Sequence, residues 1–401
     1  MVLPLASKRI VLGVTGSIAC YKAADLASKL TQLGAEVDVI LTTAAEHFIK
    51  PLTFQSVTGR RAYVDQDLWG PEGHVLHVKL GKDADLVLVA PATANTLAKL
   101  AAGQADNLLT LTILAATAPL MLAPAMDGGM YDHPATQASL ETLHARGAYI
   151  HGPVSGHLAS GLSGVGRMLE PAELAGYARV ALGAGGALSG RRILVTAGGT
   201  QEPIDPVRVI ANRSSGKQGY ALAQAALDLG AEVTLVSGPS ALSAPVGAEL
   251  LRVQTAVEMR DAVLARAGAT DALLMAAAVA DFRPSNASDK KIKRAEGVPT
   301  VELAANPDIL KEVGQLAQKP RVLVGFAAES NDLLSNAQGK LASKGLDMIV
   351  ANDVSAQDAG FEVDTNRVIL LSKDGAQDEL PLMSKYEVAY KVLEKVAALL
   401  K

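Results

Sequence analysis

Short β-branched apolar runs alternate with amphipathic stretches along the whole chain. Residues 9–16, RIVLGVTG, are an apolar run ending in glycine, and 192–200, RILVTAGGT, repeat the pattern. A stretch of helical spacing follows each, SIACYKAADLASKLTQLG in the first half and SSGKQGYALAQAALDLG in the second. Each predicted helix stops at a glycine, Gly34 or Gly230, which takes the left-handed C-terminal position without a Cβ clash. New apolar runs then begin, AEVDVILTT and AEVTLVSG. Strand, helix and strand at this spacing make a right-handed βαβ unit. Two copies predict an α/β protein with two doubly wound, Rossmann-like parallel-sheet domains.

DADLVLVAPAT, APLMLAPAM and GAYIHGP read as further strands of the first domain, with NTLAKLAAG, NLLTLTILAAT and ATQASLETLHARG as helices. TDALLMAAAVAD, KPRVLVGFAAE and LDMIVAND read as strands of the second, and RVILLSKDG as a later, antiparallel one. In the last predicted helix Val388, Val392, Val396 and Leu400 recur every four residues and share one packing face. The small, glycine-rich LGAGGALSG reads as a linker. The expected division is 1–181, linker 182–190, and 191–401.

Composition narrows the function classes. With 401 residues, 49% hydrophobic and 19% charged, the chain has ample material for full cores, which excludes disorder as its main state. A net charge of −4 gives no reason to expect nucleic-acid or membrane-surface binding. Cys20 is the single cysteine, so a disulfide scaffold is excluded and a reducing cytoplasm is expected. Lys8 and Arg9 interrupt the N-terminal apolar run, against a secretory leader, and no apolar run reaches transmembrane length.

In open parallel sheets ligands bind where strands end and helices begin. At the first such crossing stands TGSIACYK, where Gly16 permits a sharp turn and Ser17 can cap a helix whose free N–H groups favour phosphate. GxGxxG is missing, so one mononucleotide phosphate is favoured over a dinucleotide. After the next apolar strand Pro91, Thr93, Asn95 and Thr96 cluster; a helix cap is the plain reading of such residues alone. A third strand end carries Pro124, Met126, Asp127 and Met130, where methionines ordinarily plug cores.

Together the segments GSIACYK, LTTAAEHFI, HVKL, APATANTLAKLAAGQADNLLT and PAMDGGMY resemble the flavoprotein cysteine decarboxylases, in particular the phosphopantothenoylcysteine decarboxylase half of the bifunctional coenzyme A biosynthesis family. The resemblance spans nearly all of 9–170 and implies a flavodoxin-like flavoprotein domain. It implies that Gly16, Ser17, Ile18, Thr43, Thr93, Ala94, Asn95, Thr96 and Met126 hold FMN. His77, in HVKL, matches the family's catalytic histidine, and a histidine can move a proton near neutral pH. His74 is the neighbouring rival. Two positions depart from the family pattern. Many relatives have Asn where Asp127 stands, so Asp127 is protonated, turned away, or replaced in function by backbone N–H groups. Relatives also carry a cysteine proton donor in the mobile segment before GRM, where Ser160 stands here, a much poorer acid. The glycine- and serine-rich stretch 155–166 suits a flap.

In the second half TAGGTQEPIDPVRVIANRSSGKQG follows the first strand. It is not a Walker A loop, because Ala211 and Gln218 stand where glycine and Ser or Thr are required. Gly198 and Gly199 read instead as one small-residue turn, and Ser214, Ser215 and Gly216 as the start of a helix, two anion sites that suit a triphosphate. Asp281 ends a strand. Lys290, Lys291, Lys293 and Arg294 form a basic stretch, solvated or beside phosphates. Lys340 and Lys344 share a helix face, a like-charge pair that an anion would relieve. These segments, with NPDIL, VGFAAES and ANDVS, resemble the phosphopantothenate–cysteine ligase half of the same family over 190–355. The resemblance implies that Asp281, Lys291, Asn306, Pro307, Asp308, Ile309, Phe326, Lys340 and Lys344 bind CTP, that Gly199, Ser214 and Ser215 face its phosphates, and that Asn212 and Lys291 act around an acyl-cytidylate, with Mg²⁺ offsetting the triphosphate charge.

The expected function is therefore ligation of 4'-phosphopantothenate to cysteine with CTP, then FMN-dependent decarboxylation of 4'-phosphopantothenoylcysteine to 4'-phosphopantetheine. The resemblance also implies a homo-oligomer, with trimeric flavin halves and dimeric ligase halves. The alternatives are an NAD(P)-dependent oxidoreductase with two Rossmann domains, which the missing GxGxxG disfavours, and a non-enzymatic nucleotide-binding protein, for which only Asp127 and Ser160 speak.

Overall fold

The computed structural model describes residues 2–70, 73–293, 300–329, 333–353 and 363–401. Arg294, the end of ANDVS and the side chain of His74 lie outside the described residues. Two compact units form, Val2–Leu182 and Gly183–Lys401.

In the first unit β1 (Arg9–Val14), β2 (Glu36–Leu41), β3 (Ala62–Val64), β4 (Leu86–Ala92), β5 (Leu120–Pro124) and β6 (Tyr149–Ile150) form a sheet in the order β3-β2-β1-β4-β5-β6. Every pairing is parallel. Helices cover both faces, so the central strands are apolar on both sides rather than alternating. α1 (Cys20–Gln32), α2 (Pro51–Thr58) and α8 (Pro171–Gly183) pack through Leu26, Leu30, Phe54, Leu174 and Ala178 on Ile10, Leu12, Leu86 and Leu88. The residues between, Val11, Val87 and Val89, face α3 (Gly73–Asp83), α4 (Ala94–Ala102), α5 (Leu108–Ala115) and α7 (Pro134–Ala145). Gly13 admits α5 at close range, since a Cβ there would lie 2.5 Å from Leu109 Cδ1. The short α6 (Gly128–Tyr131) follows β5. The expected flap is an antiparallel hairpin of β7 (Val154–His157) and β8 (Ser163–Arg167), with Ser160 near its tip.

In the second unit β9 (Arg192–Ala197), β12 (Glu232–Ser237), β13 (Glu249–Arg252), β14 (Ala272–Met275), β17 (Val322–Glu329), β18 (Met348–Asp353), β19 (Thr365–Ser372) and β20 (Gln377–Ser384) form one sheet, ordered β13-β12-β9-β14-β17-β18-β19-β20. Its first six strands repeat the parallel order of the first sheet. RVILLSKDG pairs antiparallel as expected, and β20 extends the edge. Two small ribbons, β10 (Gln201–Pro203) with β11 (Val209–Ala211) and β15 (Phe282–Pro284) with β16 (Leu303–Ala305), were not predicted; three-residue strands carry no readable period.

α10 (Ala256–Ala267), α11 (Ile309–Gly314) and α12 (Leu333–Ser343) share a core with Leu194, Leu273, Leu323 and Ile349 on one face of this sheet. α9 (Lys217–Asp228) packs against β9 and β12 and against α13 (Lys385–Leu399), which also meets β19 and β20. Val388, Val392, Val396 and Leu400 are all buried, as their spacing predicts. The glycine-rich stretch after 182 is no open tether. Leu188 is buried and donates its N–H to Leu229 O, and a Cβ on Gly186 would meet Leu229 O at 2.4 Å. No described helix is long and apolar enough to cross a membrane.

Candidate functional site

Each sheet reverses its strand order once, between β1 and β4 in the first unit and between β9 and β14 in the second. Loops leave the two central strands in opposite directions there and open a crevice at the strands' carboxyl ends.

In the first unit Thr15, buried at the end of β1, donates its hydroxyl to Pro91 O at 2.7 Å and accepts the Thr93 N–H at 3.1 Å. The two strand ends are thus stitched together under the crevice. Thr93 also caps α4, with its hydroxyl accepting from Thr96 N. α1 begins only at Cys20, and the Ser17 hydroxyl accepts the Ala19 N–H, so Ser17 turns the chain into the helix rather than heading it. At Gly16 a Cβ would lie 2.6 Å from the Ala44 Cβ, so only glycine lets these loops meet.

The resulting cavity of about 600 Å³ gathers Gly16, Ser17, Thr43, Thr93, Ala94, Asn95, Thr96 and Met126 from the expected set. It adds Asp65, Lys99, Asp106, Asn107 and Met130. Asp65 is a joint the sequence did not suggest. Its carboxylate accepts Thr43 N, Thr43 Oγ1 and Leu108 N, tying three loops. Lys99 pairs with Asp106 at 2.7 Å. Hydroxyls, two amides and the Lys99–Asp106 pair beside Ala44, Ala94, Ala125 and Met126 make a lining that fits a phosphate joined to a planar apolar group.

Two expected residues stand apart. Ile18 is exposed and does not line the cavity. His77 lies on α3, outside the cavity lining of its own chain. Its Nδ1 is buried without a hydrogen-bond partner among the described residues.

The two departures from the family pattern meet each other. Ser160 Oγ donates to Asp127 Oδ2 at 2.7 Å, and Asp127 also accepts Gly129 N as the cap of α6. The Ser160 hydroxyl, then the Gly129 N–H, hold the Asp127 carboxyl below the usual carboxylate range. Of the three alternatives for Asp127, this geometry favours an ionised group turned to the hairpin tip. Cys20 is buried and bonded to Thr15 O, and burial pushes its thiol up, so it is packing material.

The second crevice is larger, about 900 Å³. Asn212, Ser214, Asp281, Asn306, Pro307, Asp308, Ile309, Phe326, Lys340 and Lys344 all line it. Asn212 donates to Val279 O at 3.1 Å. Asn306 donates to Ala280 O and accepts from Arg283, so its side chain braces the loop after β14. Lys344 is bonded to Asp308 at 3.1 Å, so the relief expected from an anion comes from a carboxylate that also caps α11.

Gly199, Ser215 and Lys291 are not among the lining residues. The Gly198–Gly199 turn serves backbone packing instead: Cβ atoms there would meet Gly238 O at 2.9 Å and Asn212 O at 3.0 Å. Ser214 and Ser215 cap the N–H groups of Gly216 and Lys217 with their own hydroxyls. Lys291 is exposed, beside Ile292, whose N–H is held by Asp205.

That aspartate is the main omission of the sequence reading. Buried Asp205 accepts Val207 N, Arg208 N, the Arg208 guanidinium and Ile292 N, so it binds the turn after β10 to the basic loop. Arg208, foremost, drives its carboxyl far below the usual range. The Asp–Pro–x–Arg spelling is the available signal, an Asx turn with a cation three residues on. Lys217, Gln218, Asn352, Asn366 and Lys385 also line the cavity.

Residues 4–179 match the flavoprotein family, and 188–400 match the DNA/pantothenate metabolism flavoprotein C-terminal domain. A coenzyme A biosynthesis bifunctional protein CoaBC of Bacillus subtilis is 48% identical over 99% of this chain and 98% of its own. One from Vibrio parahaemolyticus is 47% identical over 99% of each. The chain belongs to the coenzyme A biosynthesis bifunctional protein family. A solved C-terminal domain of a CoaBC protein is 42% identical, covering 53% of this chain and 97% of that one, with a TM-score of 0.47. As a family member the chain is a bifunctional enzyme, a decarboxylase and a ligase, with a flavoprotein first half.

Proposed function

We propose that the second crevice joins 4'-phosphopantothenate to cysteine at the expense of CTP, and that the first decarboxylates the resulting 4'-phosphopantothenoylcysteine to 4'-phosphopantetheine. The carrying observation is the arrangement of two mononucleotide-sized crevices at equivalent strand reversals, the first lined mainly by hydroxyls, amides and small apolar groups with a Lys99–Asp106 pair, and the second by several lysines, amides and carboxylates.

In the ligase half Lys340 and Lys344 stand against the triphosphate and Asp281 and Phe326 against the nucleoside. The acid's carboxylate oxygen attacks the α-phosphorus of CTP and pyrophosphate leaves. The cysteine amine then attacks the acyl carbon and CMP leaves with the bonding pair. Asn212 orients the acyl group. Among the described residues no three His, Cys, Asp or Glu side chains gather as a metal cage. Mg²⁺ therefore enters, in this reading, with the triphosphate as part of the substrate.

In the decarboxylase half Ser17, Thr43, Thr93, Asn95 and Thr96 hold FMN, with Met126 against its apolar part. Bound FMN supplies the two-electron chemistry that makes loss of carbon dioxide possible. His77 takes the substrate proton. Because His77 lies off the cavity of its own chain, the trimeric assembly implied for flavin halves is part of this proposal. The hairpin carrying Ser160 shields the site, and Asp127 holds its tip. The enzyme is placed in the cytoplasm, and its ligase halves pair as dimers.

The test is the purified protein itself. It should be yellow with one FMN per chain, and should release pyrophosphate from CTP only when phosphopantothenate is present. A colourless protein, or pyrophosphate release indifferent to the acid, would contradict the proposal.

A further inference from the structure

The first unit holds a further groove that neither half of the proposed reaction uses. It lies between α4, α5 and α7, beside the starts of β5 and β6, and offers about 490 Å³. That volume is in the range of small-molecule sites. No residue lines both this groove and the flavin crevice.

The sequence of α5 explains why the groove is apolar. The helix reads LLTLTILA, with apolar residues on all sides. Leu108 and Leu109 are buried in the core against the sheet. Ile113 and Leu114 line the groove instead, and Leu114 is 67% exposed. A helix that is apolar all round is ordinarily covered on every side. Leu100 from α4, Leu120 from β5 and Leu143 from α7 complete the apolar lining.

Charge decides what fits there. Arg146, the residue that ends α7, is the one charged side chain among the lining residues, and no carboxylate is among them. Its guanidinium donates one N–H to Leu100 O at 3.3 Å, and it forms no ion pair among the described residues. The bond to Leu100 holds the cation beside the apolar lining and leaves its other N–H groups to donate. A guanidinium takes a carboxylate through two parallel hydrogen bonds, which apolar surroundings strengthen. The carboxyl ends of α4 and α7, at Gly103 and Arg146, also meet the groove. Their partial negative charge disfavours a doubly charged anion and leaves a singly charged one. The Gln104 side-chain amide and the Tyr149 hydroxyl line the same groove and bond to no other described residue, so both can bind a carboxylate oxygen.

We infer that this groove is a binding site for a small amphipathic monocarboxylate, an acid with a hydrocarbon body. The carboxylate pairs with Arg146, and the hydrocarbon lies against Ile113, Leu114 and Leu143. The site stands independently of the FMN and CTP readings, because it shares no residue with either crevice.

The test is calorimetric titration of the full-length protein with octanoate, octan-1-ol and octylammonium, which share one chain length and differ in charge. Arg146→Ala, Arg146→Lys and Leu114→Glu are titrated alongside; both positions are exposed, so the fold is retained. The wild type should bind one octanoate per chain with a Kd of about 1 mM and reject octylammonium. Arg146→Ala should lower the preference for octanoate over octan-1-ol about tenfold, and Arg146→Lys should restore part of it. Leu114→Glu, which sets a like charge in the groove, should weaken octanoate about tenfold as well. The inference is overturned if octanoate shows no saturable binding up to about 10 mM, or if Arg146→Ala leaves the preference unchanged. Light scattering adds a further check. If Leu114→Glu breaks the protein into smaller species, the groove is an interface between copies of this chain and the ligand site is overturned.

Discussion

The crevice beyond β1 and β4 is lined mainly by hydroxyls, amides and methyl groups, with its one lysine, Lys99, paired to Asp106, and the one beyond β9 and β14 by several lysines, amides and carboxylates. Both stand at the reversal of one shared strand order. The backbone therefore decides where a mononucleotide can sit, and the loop side chains decide what is done with it. The supports differ as well. In the first crevice the Thr15 hydroxyl bridges Pro91 and Thr93, and a single carboxylate, Asp65, ties Thr43 to Leu108. The second is framed by charge, with Asp205 binding two loops and Lys217 and Lys385 heading two helices.

Exchanging damage between the crevices breaks the comparison most sharply. Gly16→Val drives a side chain into Ala44, and Gly216→Val forces a β-branched residue to a φ of 80° beside Gly198. Strain of this kind should cost each site about 10- to 100-fold in function. The first variant should lose FMN and keep ligation; the second should keep FMN and lose ligation. Absorbance at the flavin band and pyrophosphate release, measured on both proteins, check this. A variant that loses both functions would mean that the sites are not independent.

A smaller effect separates the supports by pH. The Asp205 carboxyl lies below its ordinary value of 3.8 in the folded chain. Its stabilising contribution is thus fully present above the unfolded carboxyl's value and is lost as pH falls through the folded one. Asp205→Asn should lower the melting temperature of the second half at pH 7, and its deficit relative to wild type should shrink toward pH 3. Melting curves of the two proteins across that range decide it, and a constant deficit would contradict the charge-based account.

The smallest effect is expected at the hairpin tip. Ser160→Ala removes an exposed hydrogen bond to Asp127. It should raise the KM for decarboxylation about threefold and leave ligation unchanged. A loss of decarboxylation turnover by orders of magnitude would instead make Ser160 a proton donor.

Much of this was readable in the chain because the signals are local. The paired openings RIVLGVTG and RILVTAGGT became the two central strands, and the valine ladder from 388 to 400 became the buried face of α13. The polar cluster directly after an apolar strand, Thr93–Thr96, and the helix start at Asn306–Ile309 both line the crevices. Illegible residues depend on distant partners. Lys217 and Lys385 stand on different helices and look like ordinary surface lysines until α9 and α13 pack together. Asp65 and Asp205 look like turn residues until the loops they bind are in place. Gly199 and Ser215 are adjacent in sequence to residues that line a crevice, yet they are not among its lining residues.

The most direct test of the central claim, two separate crevices acting in order on one substrate, is a single incubation of phosphopantothenate, cysteine and CTP with the wild type and with His77→Asn, products identified by mass. The wild type should yield 4'-phosphopantetheine, carbon dioxide, CMP and pyrophosphate. His77→Asn should stop at 4'-phosphopantothenoylcysteine with CMP release undiminished. Decarboxylated product from His77→Asn at the wild-type rate, or no ligated product from either protein, would contradict the account.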